Sequence, residues 1–230
     1  MAQAGGGVAE TARNEAPRAS QTRGASRVPA GYSLVLPPGW SRIPVQRGAR
    51  AAVKKIVEDA FARRSPHVPP DKLVPLRLDL ERKLAAMISQ ARERGGVDLY
   101  LPLEPRRGIP IAASFVVSQF DLGAVPDQPA EIEAGAVITH LASLDGDSVI
   151  TTVGESMAVR TERIADPEPD EEIEERSRRV DYVVAAPGDP ARWLAVAFST
   201  LGGGDPEDDL ASALVQLFDA VMSTFRWTWR

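Results

Sequence analysis

The sequence contains no cysteine and only two histidines, His67 and His140, among its 230 residues. Without cysteine the chain has no disulfide bond, no thiolate nucleophile and no cysteine-based zinc site. The two histidines do not stand at a spacing typical of metal ligands, which argues against a histidine-based metal site. The composition therefore predicts a protein that works without a metal or another cofactor.

Long apolar runs are missing as well. No segment approaches the roughly 18–20 apolar residues of a membrane-spanning helix, and the first residues lack the apolar centre of a secretory signal. We therefore expect a cytoplasmic protein without a membrane span. Residues 1–29 hold few large apolar side chains, too few to offset the entropy of ordering. The predicted organisation is a disordered tail over residues 1–29 and one α+β domain over residues 30–230.

Charge is divided unevenly along the chain, although the net charge is only −5. Residues 1–110 contain 19 Lys and Arg against 10 Asp and Glu, whereas residues 111–230 contain 8 against 22. Such a division is typical of a basic binding surface or of two halves that pair within one fold. The basic helices lack interleaved aromatic residues that stack on bases. We favour pairing of the halves and expect that nucleic acid is not the partner.

Hydrophobic periodicity predicts four helices. Two of them, over about residues 48–64 and 71–94, form a basic N-terminal pair, and a short helix is expected within residues 129–144. The chain closes with an amphipathic helix over residues 205–225. Asp205 is the expected N-cap of this closing helix, because proline and acidic residues follow it and suit a helix start.

Alternating apolar and β-branched segments predict the strands. Short turns separate most of them, which favours a mainly antiparallel sheet. The predicted strands cover about residues 32–36, 98–103, 109–120, 148–153, 157–164, 180–186 and 193–200. The predicted fold class is therefore α+β, a mainly antiparallel sheet between flanking helices in an α/β/α sandwich.

Two glycine-containing segments have the outline of catalytic motifs but not their chemistry. Gly202-Gly203-Gly204 precedes a helix, as in a phosphate-binding loop, but the acidic residues from Asp205 onward repel an anion. Gly154-Glu155-Ser156 has the order of a nucleophile elbow, yet it lies between two strands instead of a strand and a helix. We therefore expect that the protein is not an enzyme.

Two charged loops are the candidate partner-binding surfaces. Arg106 and Arg107 lie at the tip of a predicted hairpin, and loops on a rigid sheet often carry binding residues. The second loop, over residues 166–175, is acidic and lacks the spacing of a calcium-binding loop. Its candidate residues for contact with a basic partner are Glu171, Glu172, Glu174 and Glu175.

The two ends of the chain resemble the Mog1/PsbP-like fold family, which includes bacterial proteins of the DcrB type. Residues 32–40 (YSLVLPPGW) are similar to the opening strand of the family, with its proline, glycine and tryptophan. Residues 193–198 and 210–226 are similar to its last strand and closing helix, with STFRW at residues 223–227. The predicted helix pair over residues 48–94 is longer than the usual insertion of the family.

The resemblance implies an antiparallel sheet between helices and a role that is mostly non-enzymatic. It transfers no functional residue, because the family shares no catalytic motif. The first hypothesis is therefore a non-catalytic protein-interaction module, such as a chaperone or accessory factor of a bacterial secretion system, which uses the sheet face or edge. The alternative is a small-ligand-binding domain or cryptic enzyme with a pocket between the sheet and the helices.

Overall fold

A computed structural model describes residues 28–62, 70–122, 134–167, 175–189 and 191–229, with the side chains of residues 70–72 excepted. The helices of this part of the chain are α1 (Ala49–Ala62), α2 (Pro70–Glu93), α3 (Ala134–Leu144) and α4 (Asp209–Ser223). The strands are β1 (Gly31–Ser33), β2 (Trp40–Pro44), β3 (Gly96–Pro102), β4 (Ala112–Asp121), β5 (Ser148–Val153), β6 (Ser156–Ala165), β7 (Ser177–Ala185), β8 (Arg192–Gly202) and β9 (Arg226–Thr228). The predicted disordered tail covers residues 1–29, and residues 1–27 of it lie outside the described residues.

Seven strands form one antiparallel sheet in the order β2-β3-β4-β8-β7-β6-β5. The meander β2-β3-β4 and the meander β5-β6-β7-β8 meet where β4 pairs with β8, from Ala112↔Gly202 to Asp121↔Arg192. A separate two-stranded sheet joins β1 to β9. This arrangement confirms the predicted α+β class with a mainly antiparallel sheet.

The first face of the sheet is covered by α4, whose amphipathic pattern places one apolar side toward the strands. Phe218 of α4 stacks on Phe198 of β8 with ring centroids 4.7 Å apart. The ring centroid of Phe115 of β4 lies 5.6 Å from that of Phe218. Full burial of a side chain of this size contributes about 1.5–3 kcal/mol. This aromatic layer therefore anchors the closing helix to the centre of the sheet.

The other three helices cover the opposite face of the sheet. Successive residues of a strand point to opposite faces, so each strand supplies side chains to both layers. At the β2–β3 side, Val57 of α1 and Ile88 of α2 pack with Leu99 of β3. At the β5–β7 side, Ile138 of α3 packs with Trp193, and both are fully buried. Helices thus lie on both faces of the sheet, as the sequence predicts.

The closing helix begins later than the sequence predicts, so the assignment of Asp205 as its N-cap is wrong. Asp208 is the N-cap, and its Oδ1 accepts a hydrogen bond from the Ala211 amide at 2.5 Å. Asp205 forms a preceding turn in which its carboxylate accepts the Glu207 amide at 2.9 Å. Aspartate is a favourable N-cap residue at either position. Asp208 is the cap because its backbone is extended and the helix begins directly after it.

The strand predicted over residues 32–36 is also shorter and differently placed. Only Tyr32 and Ser33 of it belong to β1, which pairs with β9 instead of the main sheet. The amide of Val35 donates to Oγ1 of Thr224 at 2.9 Å, so the chain leaves the strand there. The edge strand β2 was not predicted, because its five residues include a proline, Pro44, which is uncommon within a sheet.

Candidate functional site

The turn that carries Arg106 and Arg107 and the described part of the acidic loop lie at the same end of the sheet. Thr200, near the end of β8, pairs with Ala113 near the start of β4 and with Arg178 near the start of β7. The β3–β4 turn, which carries Arg106 and Arg107, therefore lies at the same end as the β6–β7 connection. We call this the loop end of the sheet.

Arg106 and Arg107 are both exposed in a tight turn at the loop end. Arg106 and Ile109 exchange two backbone hydrogen bonds of 2.9 and 3.0 Å. Between them, Arg107 and Gly108 both have positive φ, 50° and 80°, the pattern of a type I′ hairpin turn.

Glu175 is exposed just before β7 at the same end of the sheet. No hydrogen bond or ion pair joins it to Arg106 or Arg107 in the part of the chain that the structure describes. Three further predicted residues, Glu171, Glu172 and Glu174, lie outside the described residues. The sheet therefore brings Arg106, Arg107 and Glu175 to one end without bringing them together in a site.

A network of charged side chains lies beside the loop end, between β6, β7 and α4. Glu162 accepts hydrogen bonds from Arg160 and from Arg178, each at 2.7 Å. Arg160 also binds both carboxylate oxygens of Asp219 at 3.0 Å. The hydroxyl of Tyr182 donates to Asp219 Oδ1 at 2.8 Å. Part of this network borders an open cleft of about 540 Å³.

Opposite charges balance within this network. Burial opposes ionisation of Glu162, but the hydrogen bonds from Arg160 and Arg178 outweigh it and lower the pKa of Glu162. Burial and the hydrogen bond to Asp219 raise the pKa of Tyr182 above its usual value. Because each charged group faces a partner, we interpret the network as a cross-link between the sheet and α4, not as a site for an anion.

A second polar cluster fastens β1 to the main sheet. The carboxylate of Asp98, a fully buried residue of β3, accepts hydrogen bonds from the Tyr32 hydroxyl and from Arg42 Nε, the latter at 2.7 Å. The hydroxyls of Tyr32 and Tyr100 lie 3.0 Å apart. Burial raises the pKa of both tyrosines, so their hydroxyls stay protonated even above the ordinary pKa of 10.0. We assign this cluster to the stability of the β1–β3 region.

The two glycine segments have structural partners in place of ligands. The amide of Gly203 donates to Asp208 Oδ2 at 2.6 Å, so a carboxylate of the chain occupies the position that a phosphate oxygen takes in a phosphate-binding loop. Ser156 is the first residue of β6, and its buried Oγ accepts a hydrogen bond from Trp227 Nε1 at 2.9 Å. The segment thus joins two strands, as the sequence predicts, although Ser156 is already the first residue of β6 and not part of the turn.

The outer edge of β5, which we call the β5 edge, has no strand partner among the described residues. β5 is the last strand in the sheet order, and no described strand pairs with its outer side. Its sequence, SVITTV, has neither proline nor charge. An edge without such protection is available for pairing with another strand.

Backbone geometry defines which groups the β5 edge presents. Gly154 and Glu155 have φ of 56° and 70°, so β5 and β6 are joined by a two-residue turn that closes on the pair Val153↔Ser156. Since hydrogen bonding alternates along an antiparallel ladder, the amides of Ile150 and Thr152 face outward.

An apolar strip borders these outward amides. It consists of Leu144 at the end of α3, Ile150 of β5 and Met157 of β6, each between 44% and 68% exposed, whereas Val149 of β5 points to the opposite face of the sheet. Cross-strand pairing places Met157 opposite Thr152. Met157 and Ile150 therefore point to the same face of the sheet, the one that α3 covers. Clusters of exposed apolar side chains are typical of interaction sites.

The opposite edge of the sheet, formed by β2, is protected. Pro44 has no amide to donate, and Arg42 exposes a charged side chain within the same short strand. Proline and charge are common devices that prevent pairing at an edge. The sequence predicts β5 correctly as a strand but not as an edge, because strand order depends on the distant pairing of β4 with β8.

Neither a metal cluster nor a membrane helix is found in the part of the chain that the structure describes. No three His, Asp or Glu side chains among these residues are placed to hold a metal ion. None of the described helices combines the length and the apolar composition needed to cross a bilayer.

No family model and no curated protein matches the chain. Among solved structures, LpqN of Mycobacterium tuberculosis, which is involved in cell envelope biogenesis, is similar over 86% of each chain with 12% identity and a TM-score of 0.44. A protein of Bacteroides thetaiotaomicron is similar over 85% of this chain and 44% of its own, with 8% identity and a TM-score of 0.41. Likenesses at this level do not bear on function, and the resemblance to the Mog1/PsbP-like family stays a prediction.

Proposed function

We propose that the protein is a non-catalytic protein-interaction module that binds an extended segment of a partner protein along the β5 edge. The observation that carries the proposal is the open edge itself, with outward amides at Ile150 and Thr152 beside an exposed apolar strip. An edge of this kind is where β-augmentation adds a partner strand, through main-chain hydrogen bonds and pockets for alternate side chains.

Charges at both ends of β5 define the kind of partner that fits. Asp145 and Asp147 precede the strand, and Glu155 follows it. A complementary segment carries apolar residues at its centre and Lys or Arg at both ends. If two copies of β5 pair in antiparallel order, Asp147 of one copy lies near Glu155 of the other. These two carboxylates repel each other. The charges therefore favour a different protein over a second copy of this chain.

The setting that we propose is that of a cytoplasmic chaperone or accessory factor of a bacterial secretion system. Strand addition is the mode by which pilus chaperones hold their clients, and it requires no catalytic group. The resemblance to the Mog1/PsbP-like family agrees with such a role. Arg106, Arg107 and Glu175 at the loop end are secondary contacts in this proposal.

The alternative function is a small-ligand-binding domain or cryptic enzyme with a pocket between the sheet and the helices. The rings of Phe115, Phe198 and Phe218 fill the layer beneath α4. On the other face, Ile138 and Trp193 are fully buried beneath α3. A ligand in either layer displaces core side chains, which costs stability. We therefore favour the interaction module.

Affinity capture from the native host tests the proposal, with the full chain as bait. Ile150→Lys adds a charge to the apolar strip, and Thr152→Pro removes an outward amide from the edge. We expect the wild-type protein to recover a stoichiometric partner and both variants to lose it. Hydrogen exchange then locates the contact, because the amides of Ile150 and Thr152 exchange rapidly in the free protein and become protected in the complex.

The matched control is Val35→Lys, which makes the same kind of change at an apolar residue that is 68% exposed and lies outside the β5 edge. This variant should retain the partner. Retention by Ile150→Lys and Thr152→Pro, or equal loss in the control, contradicts the proposal. A wild-type dimer that Ile150→Lys dissociates shows instead that a second copy occupies the edge.

A further inference from the structure

A basic cleft lies where α1 begins and α2 ends, on the helix side of the β2–β3 region. It has a volume of about 550 Å³ and is lined by Gln46, Arg50, Lys54 and Arg92, together with small residues at and just before the start of α1. Among the described residues, no acidic side chain lines it. Its volume lies in the range of small-molecule sites, and it is separate from the β5 edge.

The cations of this cleft are weakly compensated. Arg50 has no ion pair with any residue that the structure describes. Lys54 approaches Glu58 only at 3.8 Å, and both side chains are more than half exposed, so this pair contributes little. Arg47 adds further positive charge nearby without an acidic partner among the described residues. The cleft therefore carries an excess of positive charge in a concave surface.

Arg92 is held in place at the wall of the cleft. Its Nη2 and Nε donate to the carbonyl oxygen of Val45 at 2.7 and 3.3 Å. Gln46 is held nearby, since its Nε2 donates to the carbonyl oxygen of Gly96 at 2.9 Å. Because a neutral carbonyl fixes Arg92, its full charge remains for a ligand, and less side-chain entropy is lost on binding.

We infer that this cleft binds a phosphate group, carried by a soluble phosphate compound or by a lipid headgroup. Guanidinium groups match the geometry of phosphate oxygens and bind them through charge-assisted hydrogen bonds. Arg50 and Arg92 supply two such groups from two helices, and Lys54 adds a point charge. The two sources share this chemistry and differ in whether a membrane surface is needed.

Isothermal titration of the full chain with inorganic pyrophosphate at low ionic strength tests the inference. Arg50→Gln and Lys54→Gln should each weaken binding by about tenfold, since each removes one charge-assisted contact. Lys55→Gln is the matched control, because Lys55 neighbours Lys54 on α1 but does not line the cleft. Its affinity should equal that of the wild-type protein, and thermal melting checks that the variants remain folded.

Vesicles distinguish the two sources of phosphate. Sedimentation with phosphatidylcholine vesicles that contain phosphatidic acid supports a lipid headgroup if Arg50→Gln abolishes it. Pyrophosphate binding without vesicle binding supports a soluble ligand. Absence of both kinds of binding overturns the inference. Equal weakening by Lys55→Gln, or equally tight binding of a DNA duplex, also overturns it, because the surface is then a general attractor of anions.

Discussion

The guanidinium of Arg160 binds the carboxylate of Asp219 at two points, Nε to Oδ1 and Nη2 to Oδ2, both at 3.0 Å. Arg160 lies on β6 and Asp219 on α4, so the pair connects the closing helix to the strand next to the β5 edge. The side chains are 19% and 36% exposed, which limits screening by solvent. Asp219 also accepts the Tyr182 hydroxyl, so one carboxylate holds two strands to one helix.

Asp219→Ala should lower the free energy of unfolding by about 2 kcal/mol, because it leaves Arg160 and Tyr182 without a shared acceptor. Urea denaturation measures the change. A double-mutant cycle with Arg160→Met isolates the pair from other losses. A coupling energy near zero contradicts the role of this pair as a cross-link.

Asp98→Asn should be more costly, with a loss of about 3 kcal/mol, because Asp98 is fully buried and Arg42 then lacks its charged partner. Asparagine keeps the volume of aspartate, so the loss reports on charge and not on packing. Thermal and urea unfolding measure it. The control is Asp79→Asn on α2, whose partners are the exposed Arg82 and Lys83. Equal effects of the two substitutions argue against the cluster.

Alkaline pH should destabilise the protein through its tyrosines. Burial raises the pKa of Tyr32, Tyr100 and Tyr182 above the ordinary value of 10.0. In the unfolded chain they ionise near that value, so their contribution to stability is complete below pH 10 and is lost as the pH rises toward the folded pKa values. Ultraviolet absorbance should show tyrosinate only as circular dichroism reports unfolding. Ionisation of the folded protein near pH 10 contradicts this prediction.

Local patterns in the sequence predict much of the second meander. Residues 148–153 are mostly β-branched (Val, Ile and Thr), and Gly154 marks the turn that follows, so β5 has the bounds that the sequence predicts. The helix predicted over residues 48–64 appears as α1 for the same reason, because Val53, Ile56 and Val57 share one buried face. Period and turn chemistry are local properties, and a single sequence contains them.

Distant pairings were not predictable in the same way. Trp227 pairs with Tyr32 across almost the whole chain, and no local pattern in either segment specifies the other. The open side of β5 follows from the pairing of β4 with β8, which also joins distant segments. The candidate site lies in a correctly predicted strand. The sequence favours the sheet face or edge in general and names residues only in the charged loops, because it does not reveal which strand is the open edge.

The start of α4 separates two acidic residues that the sequence alone did not distinguish. Asp208→Ala should lower the melting temperature by about 3 °C, because Asp208 accepts the amides of Ala211 and Gly203. These hydrogen bonds also lower the pKa of Asp208. Its stabilisation is therefore present above the ordinary pKa of 3.8 and is lost as the pH falls through the lower folded value. Asp205→Ala should have a smaller effect, and a larger one contradicts the assignment of Asp208 as the cap.

Gly154→Ala should destabilise the β5–β6 hairpin by about 3 kcal/mol, as measured by urea denaturation. The backbone at Gly154 has a φ of 56°, which costs about 1–2 kcal/mol for a residue with a Cβ. An added Cβ also lies 2.7 Å from Cδ1 of Phe225. That ring is fully buried between Tyr32 and Trp227, so it has no room to withdraw and the strain adds to the conformational cost.

Gly108→Ala separates these two contributions. Gly108 also has a positive φ, 80°, but an added Cβ there meets no atom within 4 Å. Its substitution should cost only the conformational part, about 1 kcal/mol. If Gly154→Ala costs no more than Gly108→Ala, the Phe225 ring yields and does not fix the turn. If it costs more, the buried ring fixes the turn that sets the register of β5, and a partner strand meets an edge that is positioned before binding.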